Sequence, residues 1–367
     1  MLAAGSALIG VGGFTAIGGA SSGAPFLSTL GAPRQVASTV PANGDVNPYG
    51  IVVVRTSIGK LVKGDTIVSN YNDKANVQGT GRTIVEISPA GVMSTFATIG
   101  SLPASKACPG GVGLSTALSI LPGGWVVVGS VPAGVNGALP LVNPAGCLLV
   151  LNSAGTVSET WTNQNINGPW DMTEAASGAG VDLFVSNVLT RPKGVKVTPK
   201  SGDQSSIIRI SVALTAGQPP RMTGVTVIGT GFLSQANKAA FVQGATGVAL
   251  GKNGTLYVAE TVRNRVSEIP QAMTRTTADP NDATTLSSGG WLNGPLGLTI
   301  APNGDVLAMN ANNGVAVEIN LVGMQVAKKT LVPNGSGDLF AAAIAPSGTE
   351  LLFVNDGTNA LDSVSVK

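Results

Sequence analysis

The chain has 367 residues, of which 43% are hydrophobic and only 11% charged, and 21 Lys and Arg against 19 Asp and Glu leave a formal charge of +2. No dense basic patch is present, since the nearest run, Lys193, Lys196 and Lys200, reads as a solvated strand edge or loop, so nucleic acid is not an expected partner. The complete absence of His excludes a Ser-His-Asp triad, His-based lyase chemistry and a His-bearing zinc site.

The 50 Gly and 22 Pro are spread along the chain, so they mark turns and signal neither disorder nor collagen. Residues 2 to 20 are almost wholly apolar and run into Ser21, Ser22, Gly23 and Ala24, which resemble the small-residue end of a secretory signal. No basic residue precedes Arg34, so three readings of residues 1–24 stand: an export signal, a packed or assembling arm, and an anchor. Glycines through that stretch weaken the anchor reading.

From Arg34 onward one unit recurs: an apolar strand, a Gly turn, a second apolar strand, and a polar residue six or seven positions after the turn. Units this small cannot bury their own apolar faces and must stack on neighbours. The polar ends are Asn70, Ser130, Asn187, Glu260, Asn310 and Asn355, following Gly64, Gly124, Gly180, Gly254, Gly304 and Gly348. The second strands read TIVS, VVVG, LFVS, LYVA, VLAM and LLFV, with little alternation, as central strands buried on both faces do. Third strands follow as TIVEI, CLLVL, SIIRI, VSEI and VAVEI, and more polar segments such as GVMSTFATI supply the outermost strands. Turns such as GKNG, APNG and APSG suit tight hairpins.

Six such units predict an all-β fold, a six-bladed β-propeller of four-stranded antiparallel blades over residues 34–367. The last unit has only three strands, and RQVASTV at 34–40 is the expected fourth, closing the ring and removing an open edge. A seventh blade would have to lie between Ala213 and Gln243, although RMTGVTVIGTG reads as the fourth strand of blade three. Cys108 and Cys147 flank one unit, so the alternatives are a disulfide closing that blade, in an oxidising compartment, and two separate buried thiols. The mostly uncharged polar surface agrees with a secreted, periplasmic or cell-surface location.

The blade ATGVALGKNGTLYVAETVRNRVSEI (245–269) resembles an NHL repeat, and PLGLTIAPNGDVLAMN opens blade five in the same way. The resemblance implies a six-bladed propeller used mainly for binding proteins, nucleic acids or small molecules, with a minority of enzymes. Blade layout also resembles the gluconolactonase-like and strictosidine-synthase-like propellers. The lactonases among them imply a divalent cation held by carboxylates and amides at the start of the inner strands. The matching positions here are Tyr49, Leu114, Trp170, Thr246, Leu296 and Phe340, none of which carries a carboxylate or amide.

The six strand-end residues should form a ring of equivalent positions. Their oxygens and amides offer a Ca²⁺ or polar-ligand site, against a structural role in tying blade to blade. Tyr49, Trp170, Leu296 and Phe340 should crowd one mouth of the channel, either as a site for an apolar ligand or partner loop or as a plug. Glu260, Asp171 and Asp356 are the carboxylates left for chemistry, each with the milder role of holding a turn. Arg263 and Arg265 read as loop caps, and Asp279 and Asp282 lie in an acidic loop that matches no known calcium motif.

Together these features predict an exported, non-catalytic binding or extracellular assembly module. Its partner would be a protein, a small molecule or further copies of the chain, met through the low-charge surface and N-terminal arm, and no cofactor is required. The alternative is a lactonase-like or other hydrolytic propeller enzyme with a carboxylate and amide ring at the channel, with or without Ca²⁺.

Overall fold

The computed structural model describes residues 23–132, 145–189, 205–237, 241–278 and 283–367. Lys193, Lys196, Lys200, Asp279 and Asp282, and the arm before Gly23, lie outside these. Among the described residues the strands form six four-stranded antiparallel sheets and one two-stranded hairpin. In the first five sheets the chain runs outward strand by strand. Blade four shows the plan, with Ala245–Leu250 innermost, then Leu256–Glu260, Arg265–Ile269 and Thr284–Ser288 at the rim.

Sequence dictates this order through burial. All five residues of Leu256–Glu260 are buried, whereas the rim strand of blade one, Met93–Thr98, buries only Phe96 and Ala97. The turns between inner and second strands rest on glycines with positive φ, as at Gly254 (+77°) and Gly304 (+94°), where a side chain would be strained. Successive blades enclose apolar layers: Ile67, Ile84 and Phe96 of blade one meet Val126, Val128 and Leu149 of blade two. Leu183, Val185 and Ile208 of blade three pack against Val127, Leu148 and Val150 of blade two.

Ring closure follows the predicted route. Arg34–Ser38 pairs antiparallel with Ala360–Ser365 and becomes the rim strand of blade six, with Arg34 opposite Ser363. The chain just before it is clamped as well. Phe26–Thr29 forms one helical turn whose Phe26 and Leu27 amides each donate to a carboxylate oxygen of Glu318 at 2.8 Å. Phe26, Leu27 and Leu30 fill the apolar layer between blades five and six.

Among the described residues, the stretch between Ala213 and Gln243 forms no seventh four-stranded sheet. It contains the long rim strand of blade three, Arg221–Phe232, and the small hairpin Gln235–Asn237 with Phe241–Gln243. Cys108 and Cys147 are joined, so the segment leading into blade two is bonded to the first residue of that blade's third strand.

Candidate functional site

Strand register defines the channel. In each blade one residue of the inner strand pairs with the polar end of the second strand: Pro48 with Asn70, Ser115 with Ser130, Pro169 with Asn187, Ala245 with Glu260, Pro295 with Asn310 and Leu339 with Asn355. The six predicted ring residues therefore occupy one structural position. Immediately after each pair the register slips by one residue. A bulge re-aims the side chain it carries.

The first bulge residues are Tyr49, Thr116, Trp170, Thr246, Leu296 and Phe340. Five match the sequence alignment. Blade two corrects it: Leu114 pairs with Val131, one step before the ring, so Thr116 holds the equivalent place. The other blades, except blade three, follow this residue with Gly or Ala, but LSTAL offered two small residues and no glycine to anchor the register.

The predicted mouth residues meet in one apolar cluster that also takes in Leu114, Val131, Val188 and Leu189. Trp170 Nε1 donates to the Tyr49 hydroxyl at 2.8 Å, and the two rings stand edge to face with centroids 5.7 Å apart. Phe340 also packs against Tyr49, with centroids 5.7 Å apart and the rings tilted by 34°. The cation that a lactonase-like channel implies does not fit these residues, which offer aromatic rings, Leu and two Thr hydroxyls. Among the described residues no group of three Asp, Glu, Cys or His could hold a metal.

The ring itself acts as stitching. Asn187 Oδ1 accepts from the Asn167 and Gly168 amides, and Ser130 Oγ from the Gly113 amide at 2.8 Å. Asn310 accepts from the Asn293 amide and donates to Trp291 O, while Asn70 Nδ2 donates to Thr39 O at 2.7 Å. Each partner lies in the segment arriving from the preceding blade. Glu260 instead binds within its blade, to Arg265 Nε at 2.5 Å and to the Ser267 hydroxyl, with Arg263 at 3.8 Å. Asn355 Nδ2 donates to Asp362 at 2.9 Å.

Two of the three singled-out carboxylates are electrostatically unusual. Asp171 stands one residue after its bulge, where the other blades have Gly50, Ala117, Gly247, Gly297 and Ala341. A Cβ on Gly297 would fall 2.2 Å from Phe340 O, which shows how closely inner strands approach there. Asp171 instead spans the joint: Oδ2 accepts from the Val248 amide of blade four at 3.0 Å and Oδ1 from the Met172 amide at 2.9 Å. Burial raises its pKa to about 7 against the pull of those two bonds. Burial, with the Asp171 charge second, also lifts the Tyr49 phenol well above its ordinary value.

Asp356 follows the ring residue of blade six. Burial, then the neighbouring Asp338 charge, raises its pKa to about 7, and its Oδ1 has no hydrogen-bond partner. The Asp356 amide donates to Asp338 O at 2.8 Å, and the Asp338 carboxyl lies over Gly357. Tyr71 stands close by, its phenol held protonated by burial first and Asp356 second, and its oxygen accepts from Asn47 Nδ2 at 3.3 Å. The alignment did not reveal Asp338, Tyr71 or Asn47. Their only sequence signal is that Tyr71 and Asp356 immediately follow ring residues and Asp338 and Asn47 lie just before inner-strand bulges.

No family model and no curated protein sequence matches the chain. Its fold matches solved structures along almost its whole length. A gluconolactonase from Xanthomonas campestris is similar at 12% identity, over 91% of this chain and 89% of that one, with a TM-score of 0.56. The calcium-binding protein regucalcin from Agrobacterium tumefaciens gives 13% identity, 91% and 93% coverage and a TM-score of 0.55. The PQQ-bound aldose sugar dehydrogenase from Streptomyces coelicolor gives 14%, 92%, 98% and 0.54.

These likenesses establish the six-bladed propeller fold, and the similar structures are of gluconolactonase type, not specifically NHL repeats. They also correct the expectation of a non-catalytic binding or assembly module, because the neighbours include a gluconolactonase and a sugar dehydrogenase.

Proposed function

We propose that the chain is a lactonase-like propeller hydrolase that opens a small cyclic ester at the joint of blades six and one. Asp356 carries the reading: its pKa of about 7 suits proton transfer near neutrality, and its Oδ1 is buried without a hydrogen-bond partner, so that the carboxyl is free to use its other oxygen. As carboxylate it takes a proton from water while the water oxygen bonds to the lactone carbonyl carbon. The tetrahedral oxyanion then collapses, the ring C–O bond breaks, and Asp356 returns the proton to the departing alkoxide. The product is the open hydroxy acid.

Burial first and the Asp338 charge second keep the Asp356 pKa high, and neutral Tyr71 with the Asn47 amide supplies hydrogen-bond donors beside it. The gluconolactonase and sugar-dehydrogenase neighbours support a small polar substrate. No step passes through a metal, because the channel residues do not suit one. NHL-like features of blades four and five concern blade construction. The Cys108–Cys147 bridge supports work in an oxidising compartment.

The test is hydrolysis of gluconolactone and simpler δ-lactones followed by acid release. Asp356→Asn should lower kcat/KM by about 100-fold or more, and the wild-type rate should rise through about pH 7. Equal turnover by the Asn variant, or no acceleration of any lactone by the wild type, would sink the reading.

A further inference from the structure

Apart from the carboxylate site, a cleft of about 490 Å³ opens between blades one and two. Ile99, Leu102, Ala107 and Val112 give it apolar walls, and the bonded Cys108 lines it as well. Its one charged lining group is Arg82. That guanidinium donates through Nη1 to Gly79 O (3.0 Å) and Gly81 O (2.8 Å), and through Nη2 to Val112 O (3.0 Å).

Three carbonyls occupy three of five N–H groups and neutralise none of the charge. No ion pair within 4.0 Å is recorded for Arg82 among the described residues. The nearby acids are engaged elsewhere: Asp45 Oδ2 accepts from the Arg82 amide and the Thr83 hydroxyl, and Asp73 Oδ1 from the Ala75 and Val77 amides. Burial depresses the Arg82 pKa, and the Asp45 and Asp73 charges only partly restore it. An arriving anion would lessen that desolvation cost.

We infer that the Arg82 cleft is a binding site for a small organic carboxylate with an apolar body. Two remaining N–H groups match the two oxygens of a carboxylate, and the volume lies in the range of small-molecule sites. The apolar walls receive the rest of the ligand. This site is separate from Asp356 and independent of lactone hydrolysis.

The probe is hexanoate, titrated against the oxidised full chain by amide NMR, with hexanamide as its uncharged counterpart. Hexanoate should bind saturably and shift the amides of residues 99–112, and hexanamide should not. Arg82→Gln should weaken hexanoate at least about tenfold, the scale of a charged hydrogen bond, while Arg82→Lys keeps part of the affinity. Because Arg82 also braces three carbonyls, Leu102→Trp provides a second route: it fills the cleft, leaves Arg82 intact and should abolish binding without lowering Tm. Absence of saturable hexanoate binding, equal binding of hexanamide, or unchanged affinity in either Arg82→Gln or Leu102→Trp overturns the inference.

Discussion

Asp171 sits where its five counterparts are Gly or Ala, and its carboxylate reaches the inner strand of blade four. The bond to the Val248 amide makes it an interblade tie, so its raised pKa does not by itself mark a catalytic group. Asp171→Ala removes the acceptor and leaves a buried N–H unpaired, which should destabilise the fold by about 1–3 kcal/mol in denaturant titration. Asp171→Asn keeps an oxygen in place and should lose less. A catalytic role would show the opposite pattern, with activity lost equally in both variants. Glu260 illustrates the contrasting case, its negative charge being matched by Arg265 and Arg263.

At the scale of strands and loops, the disulfide is the simplest element to test. It spans a sequence separation of 39 residues, and replacing both cysteines by Ser should cost about 4 kcal/mol on the chain-entropy account, read as a shift in denaturation midpoint. The strands and the closing role of residues 34–38 were legible in the sequence, because burial on both faces writes continuous apolar runs and Gly turns punctuate them, whereas the two cysteines stood open between a disulfide and separate buried thiols. Thr116 was hidden for the opposite reason: which residue bulges depends on pairing across the hairpin. Asp338, Asp356 and Tyr71 were scattered because ring closure, a contact between the ends of the chain, brings blade six beside blade one. The Glu318 clamp on Phe26 and Leu27 is equally long-range and left no local signature.

Across the whole molecule, the lack of His gives the neutral pH range to perturbed carboxyls. Asp171 and Asp356 hold protons to about pH 7 when folded, whereas unfolded Asp releases them near 3.8. Between those values the folded state binds more protons, so this stabilising contribution is complete below about pH 4 and lost as pH rises through 7. Tm should accordingly fall between pH 5 and pH 8, and the Asp171→Asn, Asp356→Asn double variant should flatten the slope; an equally steep slope in that variant would refute the assignment. The pairing of Arg34 with Ser363 also bears on biosynthesis. Residues 34–38 leave the ribosome long before Ala360–Ser365 are made, so until then this strand lacks the partner it has in the folded ring. The ring can close only once the strands of all six blades have been translated, so the joint of blades six and one is the last part of the propeller to form.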